Sequence, residues 1–149
     1  MKLLRFQAWL AALWVGVMVG VGGVAAPSVF MVLERELAGK AAGRMFTLEA
    51  KLTLGLAIVS FMIERRRVRD LAESGQTTTV MTGNLLLILG ALFLAIFGEF
   101  VLHPMIEAAK AGQPVALSFG ALHGVSSALY WVRAVMVGCL AWRLTANRA

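Results

Sequence analysis

The chain has 149 residues, of which 60% are hydrophobic and only 15% charged, with a formal net charge of +6. Soluble domains hold apolar residues to roughly 45–50% of the chain, and this excess, with a mean hydropathy of +0.81, excludes a soluble globular domain. The charges are bunched between long apolar runs, which is the pattern of an integral membrane protein.

The first apolar run is Phe6–Val24, long enough for the ~20 residues that cross a hydrocarbon core. Lys2 and Arg5 before it and Val24-Ala25-Ala26 at its end imitate a secretory signal with a small-residue cleavage site. The run exceeds the usual apolar region of such signals, and Pro27 would follow the cut, so a retained first helix is expected. Gly16, Gly20 and Gly23 line one stripe of that helix, where another backbone can approach closely, inside the bundle or in a homo-oligomer. Trp9 suits an interfacial anchor, and Pro27 is expected to end or bend the helix.

From Phe30 to Phe46 the apolar residues Phe30, Leu33, Leu37, Ala41 and Met45 recur at spacings of three and four, with charges largely off the stripe. This predicts an amphipathic helix at the membrane surface between the first and second spans. A bend near Gly39 or Gly43 then leads into the second span, about 45–63, which carries Glu49 and Lys51 near its outer end. Arg65, Arg66, Arg67 and Arg69 follow. No aromatic residue interleaves with them, and Asp70 and Glu73 come next. Anionic lipid headgroups are therefore the expected partner, and not nucleic acid.

The third span, about 80–102, closes on Glu99 and His103, with Pro104 expected to stop the helix. The fourth, about 119–142, carries His123, Ser126, Tyr130 and Arg133 at separations of three, four and three, which predicts one face turned to the bundle interior. Arg133 is read as snorkelling or paired with Glu64, and the lone Cys139 as packing filler. The chain is thus expected to be one all-α transmembrane domain over 1–149, a four-helix bundle with an amphipathic interfacial helix.

Lysines and arginines set the orientation. Lys2, Arg5, Arg65, Arg66, Arg67, Arg69, Arg143 and Arg148 fall on one side, against Arg35, Lys40, Arg44 and Lys110 on the other. The positive-inside rule then puts both termini in the cytoplasm. Antiparallel neighbours would bring Glu99 and His123 level, with His103 above and Glu49 or Lys51 alongside. Ionisable groups at membrane depth are usually kept for a pairing, a ligand or a pathway. Three readings stay open for this cluster. One is a hydrogen-bonded packing network in a structural or partner-binding subunit. Another is a site for a divalent metal, copper or protons. The third is haem b ligated by His103 and His123 in a redox protein or enzyme.

Ala26-Pro27-Ser28-Val29-Phe30, then Leu33, Ala38-Gly39 and Phe46, and later His103-Pro104 and Phe119 with Leu122-His123 and Ser126, resemble the two motif blocks of the transmembrane-protein-205-like family. The resemblance spans essentially the whole chain. It implies a four-helix protein of the bacterial inner membrane without an established activity. The layout is more remotely similar to copper-resistance protein D and to HemJ-type membrane proteins, which implies copper or haem held by histidines. The methionine-rich copper motifs are absent from this sequence.

Overall fold

The computed structural model describes residues 2–146, so Arg148 lies outside the described residues. The chain forms four helices, each long and apolar enough to cross a membrane: α1 (Lys2–Val32), α2 (Arg35–Glu73), α3 (Gly83–Lys110) and α4 (Phe119–Ala146). No strand occurs among the described residues.

Side-chain pairs fix the directions. Gln7 meets Glu64 and Trp14 meets Thr53, so α1 and α2 are antiparallel. Phe46 meets Tyr130 and Glu49 meets Arg133, so α2 and α4 run parallel. Lys2, Arg65–Arg69 and Arg143 therefore gather at one end, the basic end.

The core is built from small residues interleaved with a few large ones. Ala8, Ala11, Trp14 and Met18 of α1 pack with Ala57 of α2, Ile88 and Ala91 of α3, and Ala134, Val137, Leu140 and Leu144 of α4. In a membrane, helices gain nothing by hiding apolar surface from lipid, so association rests on close packing, which alanines permit.

Three sequence expectations are corrected here. The prolines do not end their helices. Proline lacks an N–H and its ring clashes with the carbonyl four residues back. Both α1 and α3 absorb this by widening to a π turn just before it, at Gly20–Ala25 and Gly98–Leu102. The residue before each proline then bonds five residues back, Ala26 to Val21 and His103 to Gly98, and both keep helical dihedrals. Second, α2 runs unbroken through Gly39 and Gly43 for 39 residues, about 58 Å. The chain breaks instead at Leu33-Glu34, where Leu33 is extended. The amphipathic stretch is thus the first turns of α2 and not a separate helix. Third, the span expected over about 80–102 is longer, α3 running on through Pro104 to Lys110.

Helices α2 and α3 both stop at a left-handed glycine, Gly75 (φ 77°) and Gly112 (φ 70°). The following residue donates back five positions, Gln76 to Leu71 and Gln113 to Ala108. This is a helix stop that glycine adopts without steric cost.

Candidate functional site

Buried polar residues run down one face of α2. Glu49, Thr53, Ser60 and Glu64 are all at most 3% exposed. With Ala57 they follow spacings of four, four, three and four, a single helical stripe. The carboxylates at its two ends are about 22 Å apart along the axis.

The inner carboxylate, Glu49, forms an ion pair with Arg133 of α4 in which Nη2 donates to Oε2. Its other oxygen accepts from Thr53 Oγ1 at 2.6 Å, and Thr53 accepts in turn from Trp14 Nε1 at 2.9 Å. Arg133 lies fourteen residues after Phe119 and thirteen before Ala146, so the pair sits midway along the bundle. The Arg133 guanidinium also lies 5.1 Å from the centre of the Tyr130 ring, a cation–π contact. The Tyr130 hydroxyl donates to the Met18 carbonyl at 2.7 Å, just before the π turn of α1. The ring packs on Gly22 within that turn, where any β-carbon would collide with it.

The outer carboxylate, Glu64, lies at the basic end and accepts four hydrogen bonds. They come from Arg67 Nη2 (2.6 Å) and Nε (3.1 Å), Thr82 Oγ1 (2.7 Å) and Gln7 Nε2 (3.2 Å). Thr82 also caps α3 by accepting from the Leu85 amide. Next to it, Arg143 Nε donates to the buried Asn84 Oδ1 at 3.0 Å.

Among the described residues, three buried side-chain atoms have hydrogen-bonding capacity that no protein group fills: Arg133 Nε, Ser60 Oγ and Gln7 Oε1. All three lie on this seam, one beside Glu49 and two beside Glu64.

The structure redistributes the residues singled out from the sequence. Glu99 and His103 do meet, with Nδ1 of His103 3.5 Å from the Glu99 carboxylate and Nε2 3.8 Å from Glu107. His103 is about a third exposed. His123 does not join them. It is exposed on α4 and stacks on Phe119 of its own helix, ring centres 5.9 Å apart. The reason is helical phase. Counting back from the buried Arg133, Leu122 is eleven residues away, within ~20° of the same face, whereas His123 at ten residues is ~80° off it. Leu122 accordingly takes the interior position at 0% exposure. Ser126 is half-buried between them.

Glu49 pairs with Arg133 and not with the Glu99 cluster, and Arg133 pairs with Glu49 and not with Glu64. Lys51, two residues and ~200° round the helix from Glu49, is exposed. Gly16 and Gly20 face open space rather than a neighbouring helix, and Gly39 is equally open. Pro27, Phe30 and Pro104 are exposed while Ala26 is buried, and Cys139 is exposed rather than packed inside. No group of three or more His, Cys, Asp or Glu side chains among the described residues is arranged to hold a metal ion. Because His123 is exposed and stacks on Phe119 of its own helix, His123→Ala is expected to change thermal stability in detergent by at most about 0.5 kcal/mol. Thermal unfolding followed by circular dichroism checks this.

Sequence reasoning missed Trp14, Gln7, Thr53 and Ser60. The signal was present as the α2 stripe, five small or polar residues in register within an otherwise apolar helix.

A family described as Domain of unknown function (DUF4149) matches residues 9–114. The chain belongs to this family. The DUF4149 match takes in most of α1 and all of α2 and α3, so Trp14, Glu49, Thr53 and Glu64 lie inside it, while Tyr130 and Arg133 on α4 lie beyond its end. No curated protein and no solved structure matches the chain. The resemblances to the transmembrane-protein-205-like family, copper-resistance protein D and HemJ-type proteins gain no support from these comparisons.

Proposed function

We propose that this DUF4149 protein handles protons or a small ion within the membrane, with Glu49 and Glu64 as the exchanging carboxylates. One observation carries the reading: the three buried side-chain polar atoms left without a protein partner, among the described residues, all lie on the seam joining those two carboxylates. Such atoms in a native interior call for an explanation, and a hydrated or ion-bearing path supplies one. Arginine stays charged throughout, so Arg133 would act as a fixed counter-charge while Glu49 takes up and releases the proton. Thr53 can reorient its hydroxyl to follow that change. An ionisable pair at mid-membrane is costly, and its usual use is a pathway.

Metal or haem chemistry at Glu99, His103 and His123 is the weaker reading, because the two histidines lie on unrelated faces. In this reading the basic end faces the cytoplasm of a bacterial inner membrane with both termini on that side, which the lysine and arginine asymmetry supports.

The test is proton flux in proteoliposomes carrying an internal pH-sensitive dye, driven by a potassium gradient with valinomycin. Wild-type vesicles should acidify faster than protein-free ones, and Glu49→Gln should return the rate to the protein-free level. Wild-type flux equal to that of empty vesicles would end the proposal.

A further inference from the structure

At the basic end, α3 and α4 are separated on their outer surface by an open groove of about 730 Å³. Its walls are apolar: Leu86 of α3 faces Val135, Met136, Cys139 and Trp142 of α4. Leu86, Val135 and Trp142 are more than half exposed. The groove therefore opens sideways, in the half of the bundle that holds the arginine cluster, and not toward the interior seam.

A single charged residue lines it, Arg143, and no acidic side chain does. Arg143 does not hang free in solvent. Its Nε is committed to Asn84 Oδ1 at 3.0 Å, and Asn84 is itself buried. Gly83 makes the seat, since a β-carbon there would stand 2.7 Å from Arg143 Nη2. The guanidinium is thus fixed at the head of an apolar trough.

We infer that this groove binds one anionic phospholipid, an acyl chain along α3 and α4 and the phosphate on Arg143. Charge complementarity selects the occupant. A lone oriented guanidinium in a groove lined by no carboxylate favours an anionic group, and guanidinium matches phosphate in a paired geometry. An apolar wall leading away from that cation toward mid-membrane fits the chain of the same molecule. The site is separate from the Arg65–Arg69 cluster on α2, where a smaller groove of about 410 Å³ is lined by Arg65, Val68, Arg69 and Val80. It also stands independently of the ion-handling reading.

Cys139 supplies the measurement, because it is the chain's one cysteine and lies exposed in the groove. Its alkylation by a membrane-permeant maleimide is followed in nanodiscs of phosphatidylcholine alone and of an equimolar mixture with phosphatidylglycerol. Lipid species retained by the protein are counted in parallel by native mass spectrometry. Phosphatidylglycerol should slow alkylation of the wild type by about fivefold, the effect of one cation on an anionic headgroup, and one such lipid should be retained. Arg143→Gln should abolish both effects, while Arg65→Gln/Arg69→Gln should leave both in place. Equal alkylation in the two nanodiscs would overturn the proposal. So would retention that Arg143→Gln does not alter, or a dimer in which a second copy of the chain shields Cys139.

Discussion

Replacing Arg133 by leucine is expected to destabilise the protein by about 3–5 kcal/mol, the cost of stranding one member of a buried ion pair. Glu49 would then be a carboxylate at 3% exposure with only the Thr53 hydroxyl for company. The double variant Glu49→Leu/Arg133→Leu should recover most of that loss, because replacing a whole buried pair by apolar groups is often neutral or stabilising. Thermal or denaturant unfolding in one detergent, run on both single variants and the double, measures the coupling. The same double variant separates structure from function. If the pair exists to carry ions, the double variant folds but its vesicles show no flux above the protein-free rate. A stable double variant with wild-type flux would assign the pair to packing alone. A single Arg133→Leu variant as stable as wild type would mean that the pair does not form.

How far this arrangement can be read from the chain depends on the range of the interaction. Helix number and the inward position of Arg133 follow from local periodicity, and the structure has both. Partner choice does not follow. Glu49 and Arg133 are 84 residues apart, and nothing in the neighbourhood of Arg133 distinguishes Glu49 from Glu64 as its partner. Phase was legible only over a few turns, and the 3-4-3 spacing followed from Arg133 back to His123 ends ~80° off the buried face, enough to exchange Leu122 for His123. The π turns add a second source of error. Each widened turn inserts one residue into the count, so a stripe extrapolated through Gly98–Leu102 toward His103 arrives on a different face. Leu102 is buried there, while His103 is half-buried. Two polar side chains on one extrapolated face are thus weak grounds for a site, whereas an unbroken run such as Glu49, Thr53, Ser60 and Glu64 is much better.

Gly22→Ala should cost about 1–3 kcal/mol, the usual range for overpacking a close contact, although alanine is the better helix former. The added methyl would stand 2.5 Å from Tyr130 Cε1, and the ring has nowhere to yield. Its hydroxyl is tied to the Met18 carbonyl, its edge meets Phe46 at 5.1 Å, and its face carries Arg133. Moving it breaks all three contacts and loosens the guanidinium that balances Glu49. Two other glycines calibrate the result. Gly16 has nothing within 4 Å, so Gly16→Ala should be neutral or stabilising by up to about 1 kcal/mol from helix propensity. Gly90→Ala meets Met136 Cε, the far end of a flexible side chain that can swing aside, and should fall between them. Pairing Gly22→Ala with Tyr130→Ala should make the glycine substitution nearly harmless, the non-additivity expected of two residues in contact. If Gly22→Ala instead behaves like Gly16→Ala in thermal unfolding, Tyr130 does not rest on the π turn of α1, and that turn loses its part in holding Arg133 at mid-membrane.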